Sequence, residues 1–255
     1  MPAARWESPF FRSASLSKWT RSSPSAPDPL DPGPVGFAHR GLHFGPAFPE
    51  NSFIAFAAAL ERGAGIETDL RLTADNRIVL FHDPDCWRMC ASRMRIAEST
   101  LGQLSRLSVG EHPIPTLESL FTLVGGRVPL LLEVKVEDDV WRWVAALRSA
   151  LAGYHGPFGI MSFDPRIPRL LKTNMPEVRR GLLIQAGLPA WKRKLHRWLA
   201  DPQFLAVEHP DLTQAWVAEA RLRMPVYAWT IRTAAERAQA AVHADALIWE
   251  ADGRP

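Results

Sequence analysis

From Val35 onward, short apolar runs alternate with longer amphipathic ones. "VGFAH" has strand character, and "SFIAFAAALERGA" follows as an alanine-rich helix that stops near Gly63. "GIETDLRL" and "RIVLFH" are strands joined by the tight turn "TADN", so they are expected as hairpin-like neighbours. "STLGQLSRL" and "PTLESLFTLV" carry helical spacing, and "VPLLLEVKV" is a strand. "DDVWRWVAALRSALAG" predicts a helix with Asp138 or Asp139 as N-cap and Gly153 as its stop. Further strands "FGIMSF", "EVRRGLLIQ", "QFLAVE" and "PVYAWTI" are followed by the helices "PRIPRLLKTN", "PAWKRKLHRWLA", "LTQAWVAEARLR" and "TAAERAQAAVHA". "DALIWE" is a last strand.

Alternation of this kind argues for a parallel sheet with helices outside it. The strand count is nine, two of them joined by a turn rather than a helix. A TIM-type (β/α)8 barrel with one extra strand fits that count better than an open sheet. No G-x-G-x-x-G follows the first strand, which weakens a dinucleotide-binding reading.

Residues 1–33 break the pattern. "SSPSAPDPLDPGP" is a Pro/Ser/Asp stretch without regular structure, preceded by Trp6, Phe10, Phe11, Leu16 and Trp19 among basic residues. We expect an N-terminal extension or linker over 1–33 and one barrel over 34–255. An arm that packs on the domain or is disordered is the simpler reading of the extension, with weak membrane-surface contact as the sharper one.

Composition narrows the class without deciding it. The 255 residues suit one large α/β domain, and 47% hydrophobic with 22% charged residues is ordinary for a globular chain. A net charge of +3 implies no strong polyanion-binding field, so no nucleic-acid partner is expected. Cys86 and Cys90 are four apart, not a CxxC, and read as a free reduced pair in a cytoplasmic protein. No run approaches the roughly 18–20 apolar residues of a membrane span, and the N-terminus lacks the continuous apolar core of a signal peptide. Oligomeric state is not legible.

Charged residues on buried parallel strands need partners or a metal. The exceptions to apolarity cluster at strand ends: His39 and Arg40, Glu67 and Asp69, His82 and Asp83, Glu133 and Lys135. In a barrel these ends share one mouth. Residues two apart on a strand face the same way, so Glu67 pairs with Asp69, and Glu133 with Lys135. Three converging carboxylates repel one another unless a cation sits between them, and oxygen ligands suit Mg²⁺ or Ca²⁺. Two histidines suit proton transfer near neutral pH, and Arg40 and Lys135 suit an anion such as phosphate. Singly, each has a structural explanation: Glu67 and Asp69 could pair with Arg71 or Arg62. Together they read as metal-assisted phosphodiester chemistry.

The pieces "AHRG", "PEN", "GAGIETDLRLTADNRIVLFHD", "IPTLE" and "LLLEVK" resemble the glycerophosphodiester phosphodiesterase family, with "MSFDP" and "YAWTI" as weaker matches further on. The resemblance implies a TIM-type barrel that hydrolyses glycerophosphodiesters to glycerol 3-phosphate and an alcohol with one divalent cation. It implies Glu67, Asp69 and Glu133 as metal ligands, His39 and His82 as the general acid/base pair, and Arg40 and Lys135 as phosphate ligands. It also implies that Asn51 orients a site residue or water, and that Phe163 and Trp229 shape the glycerol or alcohol pocket. Direct attack by water and attack by a neighbouring substrate hydroxyl through a cyclic phosphate both fit these roles.

Three departures concern the rim. Arg232 stands where the family tends to have Asn, Glu250 stands where it tends to have Asp, and "PDCWRMCASRMR" lacks the usual Arg-Thr-Thr stretch. The short connection from Pro84 to Glu98 leaves little room for a large insert and suggests a more open mouth. A lysophospholipase D-like or lyase-type enzyme acting on lysolipids is the first alternative, and a non-catalytic phosphodiester-binding barrel the second. In "WKRKLHRW", Trp191, Leu195, Trp198 and Leu199 recur at helical spacing, which predicts an amphipathic outer helix with a solvated basic face.

Overall fold

The computed structural model describes residues 28, 30–137 and 139–255. In chain order the elements are β1 (Phe37–Ala38), α1 (Phe53–Glu61), β2 (Gly65–Leu72), β3 (Ile78–Leu80), α2 (Trp87–Cys90), α3 (Leu101–Leu104), β4 (Ser108–Val109), β5 (His112–Pro113), α4 (Leu117–Val124), β6 (Leu130–Val134) and α5 (Val140–Leu151). They continue as β7 (Phe158–Ser162), α6 (Arg166–Asn174), β8 (Arg179–Ile184), α7 (Ala190–Ala200), β9 (Phe204–Glu208), α8 (Ala215–Arg221), β10 (Val226–Ile231), α9 (Ala234–His243) and β11 (Ala246–Trp249).

The sheet runs β1-β11-β10-β9-β8-β7-β6-β2-β3, and β1 also pairs with β2, which closes it. Every barrel pairing is parallel, and only β3 lies antiparallel, outside the ring against β2. This is the expected TIM-type (β/α)8 barrel with its hairpin-joined extra strand.

The period of two along each strand divides two cores. On β6, Leu130, Leu132 and Val134 pack outward against the helices, while Leu131 joins Phe37, Met161, Leu183, Phe204 and Tyr227 inside the barrel. Leu30 is fully buried in that interior, near Gly159 and Phe204, and Arg179 holds Asp28 at 2.6 Å beside it. The N-terminal end of the barrel is thereby plugged, and polar chemistry is confined to the other end. A third cluster, with Phe81, Cys86, Ile96 and Leu104, lies under the excursion that carries α2, α3 and the β4–β5 hairpin.

Most expected elements form, with changes that have local causes. The helix expected from "STLGQLSRL" shrinks to α3, which a Thr100–Gln103 capping box opens and Gly102 weakens. "LTQAWVAEARLR" follows a 3₁₀ turn at His209–Asp211 and is helical only from Ala215. The Pro84–Glu98 connection contains α2 and a 3₁₀ turn at Ile96–Glu98. Asp139 caps α5 through its side chain, while Asp138 lies outside the described residues. So do residues 1–27, and with them the arm's aromatics.

One expectation is reversed. Trp191, Leu195, Trp198 and Leu199 of α7 form a stripe that faces solvent. The inner side is taken by cations: Arg193 stacks over Trp216 of α8 at 4.3 Å and donates to the Leu188 carbonyl. No described helix is long and apolar enough to cross a membrane.

Candidate active site

The mouth is built from the C-terminal ends of β1, β2, β3 and β6. His39 and Arg40 follow β1 directly. Arg40 and Asn51 both hold left-handed backbone, at φ 54° and 51°, which non-glycine residues rarely adopt. Asn51 donates its backbone N–H to the Arg40 carbonyl, so the two strained residues brace each other. Between them Gly41 sits at φ +80°, and a Cβ there would lie 2.9 Å from the Ala55 carbonyl carbon at the start of α1.

Glu67 and Asp69 project inward from β2, and Glu133 from β6 in register with Asp69. All three are at least 95% buried, and their ligand oxygens lie within 4.8 Å of one another. Asp69 is the most heavily held. Arg40 Nε lies 3.1 Å from its Oδ2, the Asn51 amide donates to the same oxygen at 2.9 Å, and Lys135 Nζ lies 3.0 Å from Oδ1. Asn51 is fixed in turn by the Thr68 hydroxyl, which donates to its Oδ1. Lys135 Nζ also reaches Glu133 Oε1 at 2.5 Å, and the Arg40 backbone N–H donates to Glu67.

The charges are unequal in consequence. Burial raises the Asp69 carboxyl, but Lys135 and Arg40 outweigh it and hold the group well below the carboxylate range. Burial pushes Glu67 well above its ordinary value, helped by Asp69 and Glu133. Burial likewise takes Glu133 up to about 7 against the pull of Lys135. Three buried carboxyls thus share the positive charge of Arg40 and Lys135 alone, which favours a proton or a further cation among them.

Each histidine is anchored through Nδ1 to a carboxylate. His39 Nδ1 lies 2.5 Å from Glu250 Oε2, and His82 Nδ1 lies 2.8 Å from Asp83. This keeps the proton on Nδ1 and leaves Nε2 as the free nitrogen. On His39, Nε2 points toward Glu67 at 3.9 Å. Burial lowers both imidazoles from their ordinary value, opposed in His39 chiefly by Glu250 and in His82 by Asp69.

Phe163 and Trp229, from the ends of β7 and β10, meet edge to face across the mouth with centroids 5.4 Å apart. The Trp229 indole N–H donates to the Ala206 carbonyl, and Lys135 Nζ lies 6.0 Å from the Phe163 ring. The structure therefore gathers His39, Arg40, Asn51, Glu67, Asp69, His82, Glu133, Lys135, Phe163 and Trp229 at one end of the barrel. Arg71 turns away, bonding the His82 carbonyl and pairing with Glu137, so the structural pairing with Glu67 or Asp69 does not form.

Sequence reasoning missed a supporting layer. Glu50 pairs with Arg40 at 2.9 Å and with Arg88 of α2 at 2.6 Å, and Arg88 also holds Asp83. Asp83 stood among the strand-end charges already singled out, and Glu50 directly precedes Asn51, which was its available signal. His43, 3.4 Å from Glu250, had none. The two departures at Arg232 and Glu250 turn out to be partners: Arg232 Nε lies 2.6 Å from Glu250 Oε1, opposite the oxygen that holds His39.

A TIM barrel whose mouth gathers a carboxylate trio, two anchored imidazoles and two half-buried cations carries groups suited to phosphodiester chemistry. The profile of the Glycerophosphoryl diester phosphodiesterase family matches residues 39–252, and the chain belongs to that family. Among curated relatives, the chain is 34% identical to a glycerophosphodiester phosphodiesterase of Bacillus altitudinis, over 42% of this chain and 46% of that protein. It is 30% identical to one of Caldanaerobacter subterraneus, over 59% of this chain and 67% of the relative. Among solved structures, an Oleispira antarctica phosphodiesterase in complex with the product sn-glycerol-3-phosphate superposes with a TM-score of 0.72 at 23% identity, over 84% of this chain and 91% of that one. At that identity the likeness shows the shared fold.

Proposed function

We propose that this glycerophosphodiester phosphodiesterase hydrolyses its substrate to glycerol 3-phosphate and an alcohol, using one divalent cation, Mg²⁺ or Ca²⁺, held by Glu67, Asp69 and Glu133. The observation that carries this is the buried trio itself. Asp69 Oδ1 and Glu133 Oε1 are buried and share a single cation, the Lys135 ammonium, at 3.0 and 2.5 Å. Three buried carboxyls whose ligand oxygens lie within 4.8 Å of one another, with oxygen donors only, fit a hard cation. Such a cation, when bound, neutralises charge on the phosphoryl oxygens and polarises the phosphorus centre.

The chain's own residues supply the rest. Arg40 and Lys135 flank the trio and present fixed positive charge to the phosphate, whose charge grows in the transition state. Their ion pairs with Asp69 keep both side chains in place before substrate arrives, so little reorganisation accompanies binding. Asn51 orients Asp69. His39 and His82 are neutral imidazoles with Nε2 free, suited to take a proton from the attacking hydroxyl or water and to return one to the leaving oxygen. Glu250 and Asp83 hold those tautomers. Phe163 and Trp229 offer an apolar wall to the glycerol or alcohol carbons. Residues 34–255 would be the catalytic unit and 1–33 an extension to it.

Product identification by phosphorus NMR over a panel of glycerophosphodiesters and one lysophospholipid tests this. Glycerol 3-phosphate accumulating from glycerophosphocholine is expected. Binding without turnover would overturn the reading and leave a phosphodiester-binding barrel, and turnover of the lysophospholipid alone would shift the substrate class.

A further inference from the structure

The outer helix α7 is built inside out. Its apolar residues Trp191, Leu195, Trp198 and Leu199 follow the i, i+4, i+7, i+8 spacing of one face, yet they are 69%, 43%, 76% and 36% exposed. Its inward side carries Arg193, His196, Arg197 and the buried Ala200. An amphipathic helix in a barrel normally buries its apolar stripe. Here the stripe has no partner among the described residues, and two large indoles stand at its ends.

Charge around the stripe indicates what covers it. The helix carries Lys192, Arg193, Lys194 and Arg197 and no carboxylate. Lys192 and Lys194 are exposed beside the stripe and make no ion pair among the described residues. A shallow groove at its C-terminal end is lined by Lys194, Arg197, Trp198, Asp201 and Arg223. Asp201 there is already paired with Lys172 and Arg223 with Glu219, which leaves Lys194, among the described residues, as the groove's exposed unpaired charge. Aliphatic and indole side chains flanked by lysines match an anionic lipid surface, where indoles sit at the headgroup level and the ammoniums meet lipid phosphates. A second copy fits poorly, because a two-fold contact would face each lysine pair with its like. The chain's own arm fits poorly too, since residues 1–21 carry Arg5, Arg12, Lys18 and Arg21 against the single carboxylate Glu7. Nucleic acid would use the lysines but gain nothing from Leu195 and Leu199.

We infer that α7 docks the protein onto anionic membrane through the Trp191–Leu195–Trp198–Leu199 stripe and its flanking lysines. The site lies on the outer wall of the barrel, and its residues play no part in the proposed chemistry. The test is co-sedimentation of the full chain with vesicles of phosphatidylcholine alone or with phosphatidylglycerol. Full-length protein should pellet with the anionic vesicles and be released by salt. The variants Trp191→Ser/Trp198→Ser and Lys192→Glu/Lys194→Glu should each weaken that binding by roughly tenfold or more, while turnover of a soluble glycerophosphodiester stays unchanged. The second variant keeps the apolar stripe, so it carries the test if the first folds poorly. Four results would overturn the inference: no pelleting with anionic vesicles, pelleting of both variants as well as the parent, binding to a DNA duplex but not to vesicles, or a dimer that the tryptophan variant dissociates.

Discussion

His39 depends on a residue at the far end of the chain. Glu250 follows the last barrel strand, accepts from His39 Nδ1, and is itself balanced by Arg232. Burial raises the Glu250 carboxyl, but its bonds to His39 and His43 hold it far below the carboxylate range, so it stays ionised. Replacing His39 or His82 by Ala should cut kcat by roughly 10²–10⁴ each with the fold intact. Glu250→Gln keeps the shape and removes the charge, so kcat should fall by roughly 10–100-fold with KM little changed. Glu250 also raises His39 against burial. Removing its charge should therefore move the acidic limb of the pH–kcat profile to lower pH, a shift that a merely structural role would not produce. The site residues themselves were legible because charges at strand ends break an apolar pattern. Glu50, His43 and Arg88 were not, since loop polar residues break no pattern and α2 carries Arg88 to the mouth only in three dimensions.

At the level of elements, the turn from β1 to α1 is the most constrained piece. Left-handed backbone serves it at Arg40, Gly41, Gly45 and Asn51, with Gly41 packed on the start of α1 and Asn51 bonded to the Arg40 carbonyl. Gly41→Ala should cost on the order of 1–3 kcal/mol of stability, read by urea unfolding, because a Cβ meets α1 backbone at a left-handed φ. Activity should fall with it, as the same turn sets Arg40. By contrast, Thr116 opens α4 with a capping box to Ser119 and bonds none of the site residues named above. Thr116→Ala should cost about 1 kcal/mol and leave kcat unchanged. Strand and helix periods fixed most elements in advance. They failed at α3 and at the start of α8, where helical spacing continues past the point that backbone hydrogen bonds support. They also failed to orient α7, because periodicity shows that a stripe exists and not which way tertiary contacts turn it. In α7 the ring of Trp216 on α8 and the Leu188 carbonyl hold Arg193 inward.

For the whole molecule, closure of the sheet separates an apolar, plugged end from a charged mouth, and the mouth's unbalanced carboxylates act on global stability. Glu133 titrates near 7 when folded, against an ordinary value of 4.5 in the unfolded chain. Between those values the folded chain keeps a proton that the unfolded chain has lost. The Glu133 contribution to the stability of chelated protein should therefore fall as pH rises from about 5 to about 8, against the opposite contribution of the lowered His39 and His82 imidazoles, and Glu133→Gln should remove it. A divalent cation held by the ionised trio, as proposed, should flatten that slope, which unfolding curves with and without Mg²⁺ or Ca²⁺ would show. Family membership and the barrel were readable from ordered motifs, while the particular alcohol accepted lies in rim contacts that the sequence leaves open. The most direct test of the central claim is the rate of glycerol 3-phosphate release from glycerophosphocholine by EDTA-treated protein before and after Mg²⁺ or Ca²⁺ is restored. The account predicts loss on chelation, recovery on addition of the cation, and no recovery in Glu67→Gln or Glu133→Gln. Full turnover in EDTA, or equal recovery in those variants, would contradict it.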